Sequence, residues 1–165
     1  MESTVNFEPP NSHYLHAAEG WLELGSPAEA SQELAHIAPA LQGRPEVLAV
    51  RWQIHARERQ WEKCVTVARQ LVEQAPELPW GWVHRSFALH ELGRTREAFD
   101  LLMAGATQFP RDWLMQYNLA CYCCQLGETA RAQQFLEQAC KLGDAKQIKE
   151  MAAEDTDLRK LWEAK

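Results

Sequence analysis

Cys121 and Cys124, three residues apart, follow two upstream histidines at positions 84 and 90, and Asn118 stands beside them. This is the part of the chain richest in reactive side chains. Imidazole nitrogen and thiolate sulfur suit zinc, and a thiol beside an imidazole such as His90 is an elementary nucleophile pair. The surrounding sequence argues against both uses. The two cysteines fall inside a continuous helical pattern rather than on a knuckle, and no second Cys pair faces them. A thiol in mid-helix also lacks the helix N-terminus that would lower its pKa. Cys121, Cys123 and Cys124 therefore read as small packed apolar side chains. The expectation is no metal, no cofactor and no catalysis. His55, on a buried stripe, reads as a hydrogen-bonded core histidine.

The helices that carry these residues recur. The stretch Gly81-Trp82-Val83-His84-Arg85-Ser86-Phe87-Ala88-Leu89-His90-Glu91-Leu92-Gly93 is one helix with its stop signal. A step of 34 from Gly93 lands on Gly127, and two steps back land on Gly25, each preceded by Leu; the middle step lands on Arg59. Ala30, Cys64, Ala98 and Ala132 hold the same period, as do Pro76 and Pro110. Such a period with helix–turn–helix content is the mark of a helical solenoid. The glycines suit left-handed C-caps. Asn11-Ser12, Ser26 with Glu29, and Thr95 are the expected N-caps.

Four repeats follow, spanning 11–44, 45–78, 79–112 and 113–146. Apolar positions within each fall at helical spacing. Trp52 in the second repeat sits where a small residue would let two helices approach, so that pair is expected to splay. Residues 1–10 form an N-terminal arm, extended by Pro9-Pro10, whose Phe7 is a candidate to lie back into a groove. Residues 147–165 are off period and read as C-terminal capping helices, with Asp155-Thr156-Asp157 as a cap and Met151, Leu158, Leu161 and Trp162 covering the apolar end.

Composition narrows the partners. The 165 residues are 46% hydrophobic and 24% charged, ordinary for a globular chain, with a net charge of −6. Residues 1–44 concentrate the acidity, with six carboxylates against the single Arg44. Phosphate binding needs a basic face, so nucleic acid is not the expected partner. No apolar run is long enough to span a membrane, and the first ten residues lack the pattern of a signal peptide. Five cysteines without a framework pattern suit a reducing compartment, and the expected location is the cytoplasm.

The repeats resemble the tetratricopeptide (TPR) family. The third matches through Trp82, Leu89, Ala98, Leu102 and Pro110, and the fourth through Leu119-Ala120, Ala132, Leu136 and Ala139. The first matches through Tyr14, Ala18, Trp21, Ala30 and Leu34. More narrowly, residues 81–93, Tyr117-Asn118-Leu119-Ala120-Cys121-Tyr122 and Asp157-Leu158…Leu161-Trp162 resemble small bacterial TPR proteins. The resemblance implies an all-α, right-handed TPR superhelix of four repeats with a C-terminal cap. It also implies bacterial origin and no reaction.

In that family helix A of each repeat lines a concave face where partners bind. The matching positions here include Gln53, Arg57, Trp80, His84, Phe87, His90, Tyr117, Asn118 and Cys121, a face acidic at its start and aromatic towards its end. Exposed aromatic patches mark binding surfaces. The lysine clamp of some TPR domains is missing, since its places hold Leu15, Glu19, Val50, Trp80 and His84. The expected function is an adaptor that takes a protein or peptide segment in this face. Two alternatives are a TPR-type secretion chaperone and a self-assembling structural module.

Overall fold

The computed structural model describes residues 7–163, and no strand occurs among them. Residues 1–6 of the N-terminal arm and residues 164–165 lie outside the described residues. The chain divides into two compact units, one ending at Pro76 and the other beginning at Glu77.

The first unit contains α1 (Asn11–Glu23), α2 (Pro27–His36), a 3-10 turn (Pro39–Leu41), α3 (Pro45–Arg57) and α4 (Trp61–Gln74). Leu15, Ala18 and Leu22 of α1 face Ala30 and Leu34 of α2, and Val47, Val50 and Ile54 of α3 close the same core. Phe7 packs against this cluster. Asn11, expected as an N-cap, lies inside α1, where its Oδ1 accepts a hydrogen bond from the Ala38 amide at 2.9 Å. It therefore ties the start of α1 to the chain beyond α2. Gln42 performs a related task. Its Nε2 donates to the carbonyls of Leu34 and Ile37 at 2.8 and 2.7 Å, satisfying backbone acceptors at the end of α2. Trp52 is buried at 8% exposure, and the small Cys64 on α4 reaches its carbonyl at 3.7 Å.

The second unit contains α5 (Pro79–Glu91), α6 (Thr95–Gln108), α7 (Trp113–Gln125), α8 (Thr129–Leu142) and α9 (Ala145–Glu154). A 3-10 turn (Thr156–Leu158) and the short α10 (Lys160–Glu163) follow. Leu89, Ala98, Leu102, Leu119, Ala120 and Ala132 are all at 0–1% exposure and form its centre. Proline or Asp begins several helices for a physical reason. Pro45 and Pro79 stand in first turns, where a missing N–H costs nothing. Asp112 and Asp144 accept amide hydrogen bonds from Met115 and from Lys146 and Gln147.

The A helices share one way of ending. Gly25, Gly93 and Gly127 have φ of 77°, 75° and 81°. The amides after them, on Ser26, Arg94 and Glu128, reach back to the carbonyls of Trp21, Leu89 and Cys123 at 2.8–2.9 Å. This is the Schellman closure of a helix C-terminus. The second repeat closes the same way without glycine. Arg59 takes φ of 55°, and the Gln60 amide bonds the His55 carbonyl at 2.8 Å. Ser26 stands at the expected N-cap of α2 without a side-chain hydrogen bond, and Arg94 rather than Thr95 takes the N-cap of α6. Thr95 is the first residue of α6, and its hydroxyl instead meets His90 Nδ1 at 2.9 Å.

Candidate functional site

The A-helix face of the second unit is built from two stripes. On α5, Trp80, His84 and Phe87 follow one another at helical spacing. The Trp80 and His84 rings lie 4.4 Å apart, and His84 Nδ1 donates to the Trp80 carbonyl at 2.9 Å. Phe87 is 37% exposed, while Trp80 and His84 are half-buried. Burial lowers the His84 pKa from its ordinary value, and the backbone hydrogen bond only partly offsets this.

On α7, Tyr117, Cys121, Cys124 and Gln125 share one side, with spacings of four, three and one. They do not face an open groove. The chain beyond α9 folds back over them. Tyr117 Oη donates to Asp155 Oδ2 at 2.8 Å, and Cys121 Sγ approaches the same oxygen at 3.6 Å. Gln125 Nε2 donates to the Asp157 carbonyl at 2.8 Å, and the backbone amides of Leu161 and Lys160 are directed at Cys124. His90, on α5, meets Asp157 Oδ2 through Nε2 at 3.0 Å, with only 12% of its side chain exposed.

This arrangement changes the chemistry of the group. Tyr117 and Cys121 are 5% exposed, and Cys124 is fully buried. Burial, reinforced by Asp155 and Asp157, raises the pKa of the Cys121 thiol, and burial likewise raises those of Cys123 and Cys124. Cys64 in the first unit is pushed up to about 11 by burial. Such thiols stay protonated at neutral pH, the reverse of what a nucleophile or metal ligand needs. Tyr117 is raised too, by burial and by its bond to Asp155, so its hydroxyl remains a donor.

Of the expected site residues, the structure brings Tyr117, Cys121 and His90 together beneath the C-terminal segment. It leaves Trp80, His84 and Phe87 on the neighbouring stripe, with Asn118 half-buried on α7. Gln53 and Arg57 are exposed on α3 of the first unit. The sequence reading missed Asp155 and Asp157 as partners of this face. It assigned them only to a cap, and Asp155 does accept the Asp157 amide at 2.9 Å. Two carboxylates two residues apart, in a segment too short for a stable helix, were the available signal. The covering of the C-terminal end also differs in detail. Leu158 and Leu161 are buried, as are Ile148 and Ala152, while Met151 and Trp162 are 37% and 40% exposed. Trp162 instead borders a groove of about 600 Å³ with Leu136, Cys140, Lys149 and Ala153.

These helix pairs, their glycine closures and the small residues between them define a TPR-type helical solenoid. No family model and no curated protein matches the chain. Solved structures of MamA, a TPR-fold protein, do. "MamA 41-end from Desulfovibrio magneticus RS-1" aligns with a TM-score of 0.69 and 19% identity, over 92% of this chain and 89% of that one. "MamA MSR-1 C2" aligns with a TM-score of 0.66 and 18% identity, over 81% and 76%. "MamA RS-1 ArsTM double mutant" gives 0.70 and 10%, over 82% and 76%. At these identities the likeness is one of fold.

Proposed function

We propose that this protein is a protein-interaction module, an adaptor whose second unit holds a partner segment against the A-helix face of α5 and α7. The observation that carries the reading is the aromatic stripe of Trp80, His84 and Phe87, with Phe87 37% exposed on an otherwise ordered helix. Large aromatics at a surface supply the buried area on which protein recognition rests. In this reading Asn118 and His84 orient polar groups of the partner. The first unit presents Gln53 and Arg57 separately. Tyr117, Cys121 and His90 contribute once the C-terminal segment above them is displaced. The TPR-type fold supports this reading, since stacked helix pairs are built around extended binding surfaces.

The five cysteines, none in a disulfide, support a reducing, cytoplasmic setting. No helix among the described residues is long and apolar enough to cross a membrane.

The test compares capture of proteins from a native lysate by the wild type and by a Trp80→Ala/Phe87→Ala variant whose circular dichroism matches the wild type. A protein retained by the wild type and lost by the variant supports the stripe as the binding surface. Equal retention by both overturns it.

A further inference from the structure

We propose that Asp155-Thr156-Asp157-Leu158 is an intramolecular ligand of the α5/α7 face, and that the partner of this face is an acidic segment of the same chemistry. That chemistry is two carboxylates two residues apart, followed by an aliphatic side chain. The inference rests on the reading that this face binds a protein segment, and it names the kind of segment.

The face is a set of donors aimed at one short stretch. Tyr117 Oη, Cys121 Sγ and Gln125 Nε2 sit on successive turns of α7, and His90 Nε2 comes across from α5. All four meet acceptors, namely the Asp155 carboxylate, the Asp157 carboxylate and the Asp157 carbonyl. A lysine or arginine in the same place would set a donor against donors and leave Tyr117 buried without an acceptor, which is costly. Leu158, at 0% exposure, supplies the apolar anchor.

The occupant is held from outside. It consists of a three-residue 3-10 turn and a four-residue helix. Elements this short are not stable alone, so their order comes from the face. The Asp157 side chain remains 35% exposed, which weakens its pairing with His90 through solvent screening. An external segment that places Asp-x-Asp-Leu on the same donors makes the same hydrogen bonds. The tethered tail is a competitor at high effective concentration, so the apparent affinity for a partner is reduced by the fraction of time the face is open.

The probe is a fluorescent peptide with the sequence of residues 153–163, and a matched peptide in which both aspartates are alanine. Full-length wild type and the Asp155→Ala/Asp157→Ala variant are titrated with each. The variant, its tail loosened, is expected to bind the aspartate peptide roughly tenfold or more tightly than the wild type does. The alanine peptide binds neither. Hydrogen exchange verifies that the variant's tail is released while α5 to α8 keep their protection.

A second measurement needs only the wild type, and so stands if the variant misfolds. Saturating aspartate peptide should raise exchange at the Asp157 and Leu158 amides, and the alanine peptide should not. Equal binding to wild type and released variant overturns the proposal, as does saturation without tail exchange. If either occurs while Trp80→Ala/Phe87→Ala still loses its captured protein, the tail inference falls and the binding stripe survives. If the peptide displaces the tail but capture ignores Trp80 and Phe87, the tail inference stands and the stripe falls.

Discussion

Trp82 on α5 packs so closely over Gly105 on α6 that a Cβ added there would lie 3.1 Å from the Trp82 Cβ and 3.2 Å from its Cγ. The nearest of these atoms, the Trp82 Cβ, stays in place in every rotamer of the indole. The glycine is what lets the two helices of this pair meet across a tryptophan.

Gly105→Ala is therefore expected to lose stability by about 1 kcal/mol, because overpacking at this site outweighs the roughly 1 kcal/mol that Ala gains over Gly in a helix. Gly20→Ala is the control with the opposite sign. Nothing lies within 4 Å of its added Cβ in α1, so a gain of about 0.5–1 kcal/mol is expected. Urea midpoints of the two variants, moving in opposite directions, check both.

Arg59 occupies the place of the repeat glycines with φ of 55°. A side chain in the left-handed region costs about 1–2 kcal/mol that glycine does not incur. Arg59→Gly should raise the melting temperature by several degrees, consistent with about 1 kcal/mol in a chain of this size. Gly93→Ala, at φ of 75°, should lower it. Thermal unfolding followed by circular dichroism reads both, and a fall for Arg59→Gly would show that its side chain outweighs the backbone term.

Ser86 is fully buried, with its Oγ donating to the Val83 carbonyl at 2.8 Å and sharing a 3.1 Å hydrogen bond with Tyr122 Oη. Ser86→Ala leaves a buried phenol without this partner and should cost about 1–3 kcal/mol. Tyr122→Phe alone removes the other half. The double variant should recover part of the sum, since removing both partners costs less than orphaning one. Strict additivity in denaturant titrations would mean that the pair contributes no coupling.

His84 and His55 have pKa values lowered chiefly by burial. A base whose folded pKa is depressed binds protons more readily when unfolded. Its contribution is thus intact above the ordinary histidine value near 6.5 and is lost as pH falls from there through the folded value. Unfolding midpoints measured from pH 7.5 down to 5 should fall less steeply in His84→Gln than in the wild type. An unchanged slope would show that this imidazole does not titrate with unfolding.

The linear pattern settled the helices. A period of 34, glycines after Leu, and apolar positions at helical spacing are local or nearly local signals, and they mark α1 to α8 as pairs because each pair must bury its stripe against the next. Even Arg59 was legible as the missing glycine, although its positive φ was not. The Trp80, His84 and Phe87 stripe was likewise readable from spacing on one helix. Only the tertiary structure decided what covers α7. Tyr117 and His90 meet carboxylates 38 and 67 positions away. No periodicity reports such a contact, because the segment carrying Asp155 and Asp157 is too short to have a period. Its position depends on donors supplied by two helices at once, and those donors come together only when α5 and α7 are packed side by side. The same residue types, Tyr, Cys, His and Gln, would have suited an open groove equally well in sequence. Burial and partner geometry, which the chain acquires only on folding, reveal that this face is already occupied.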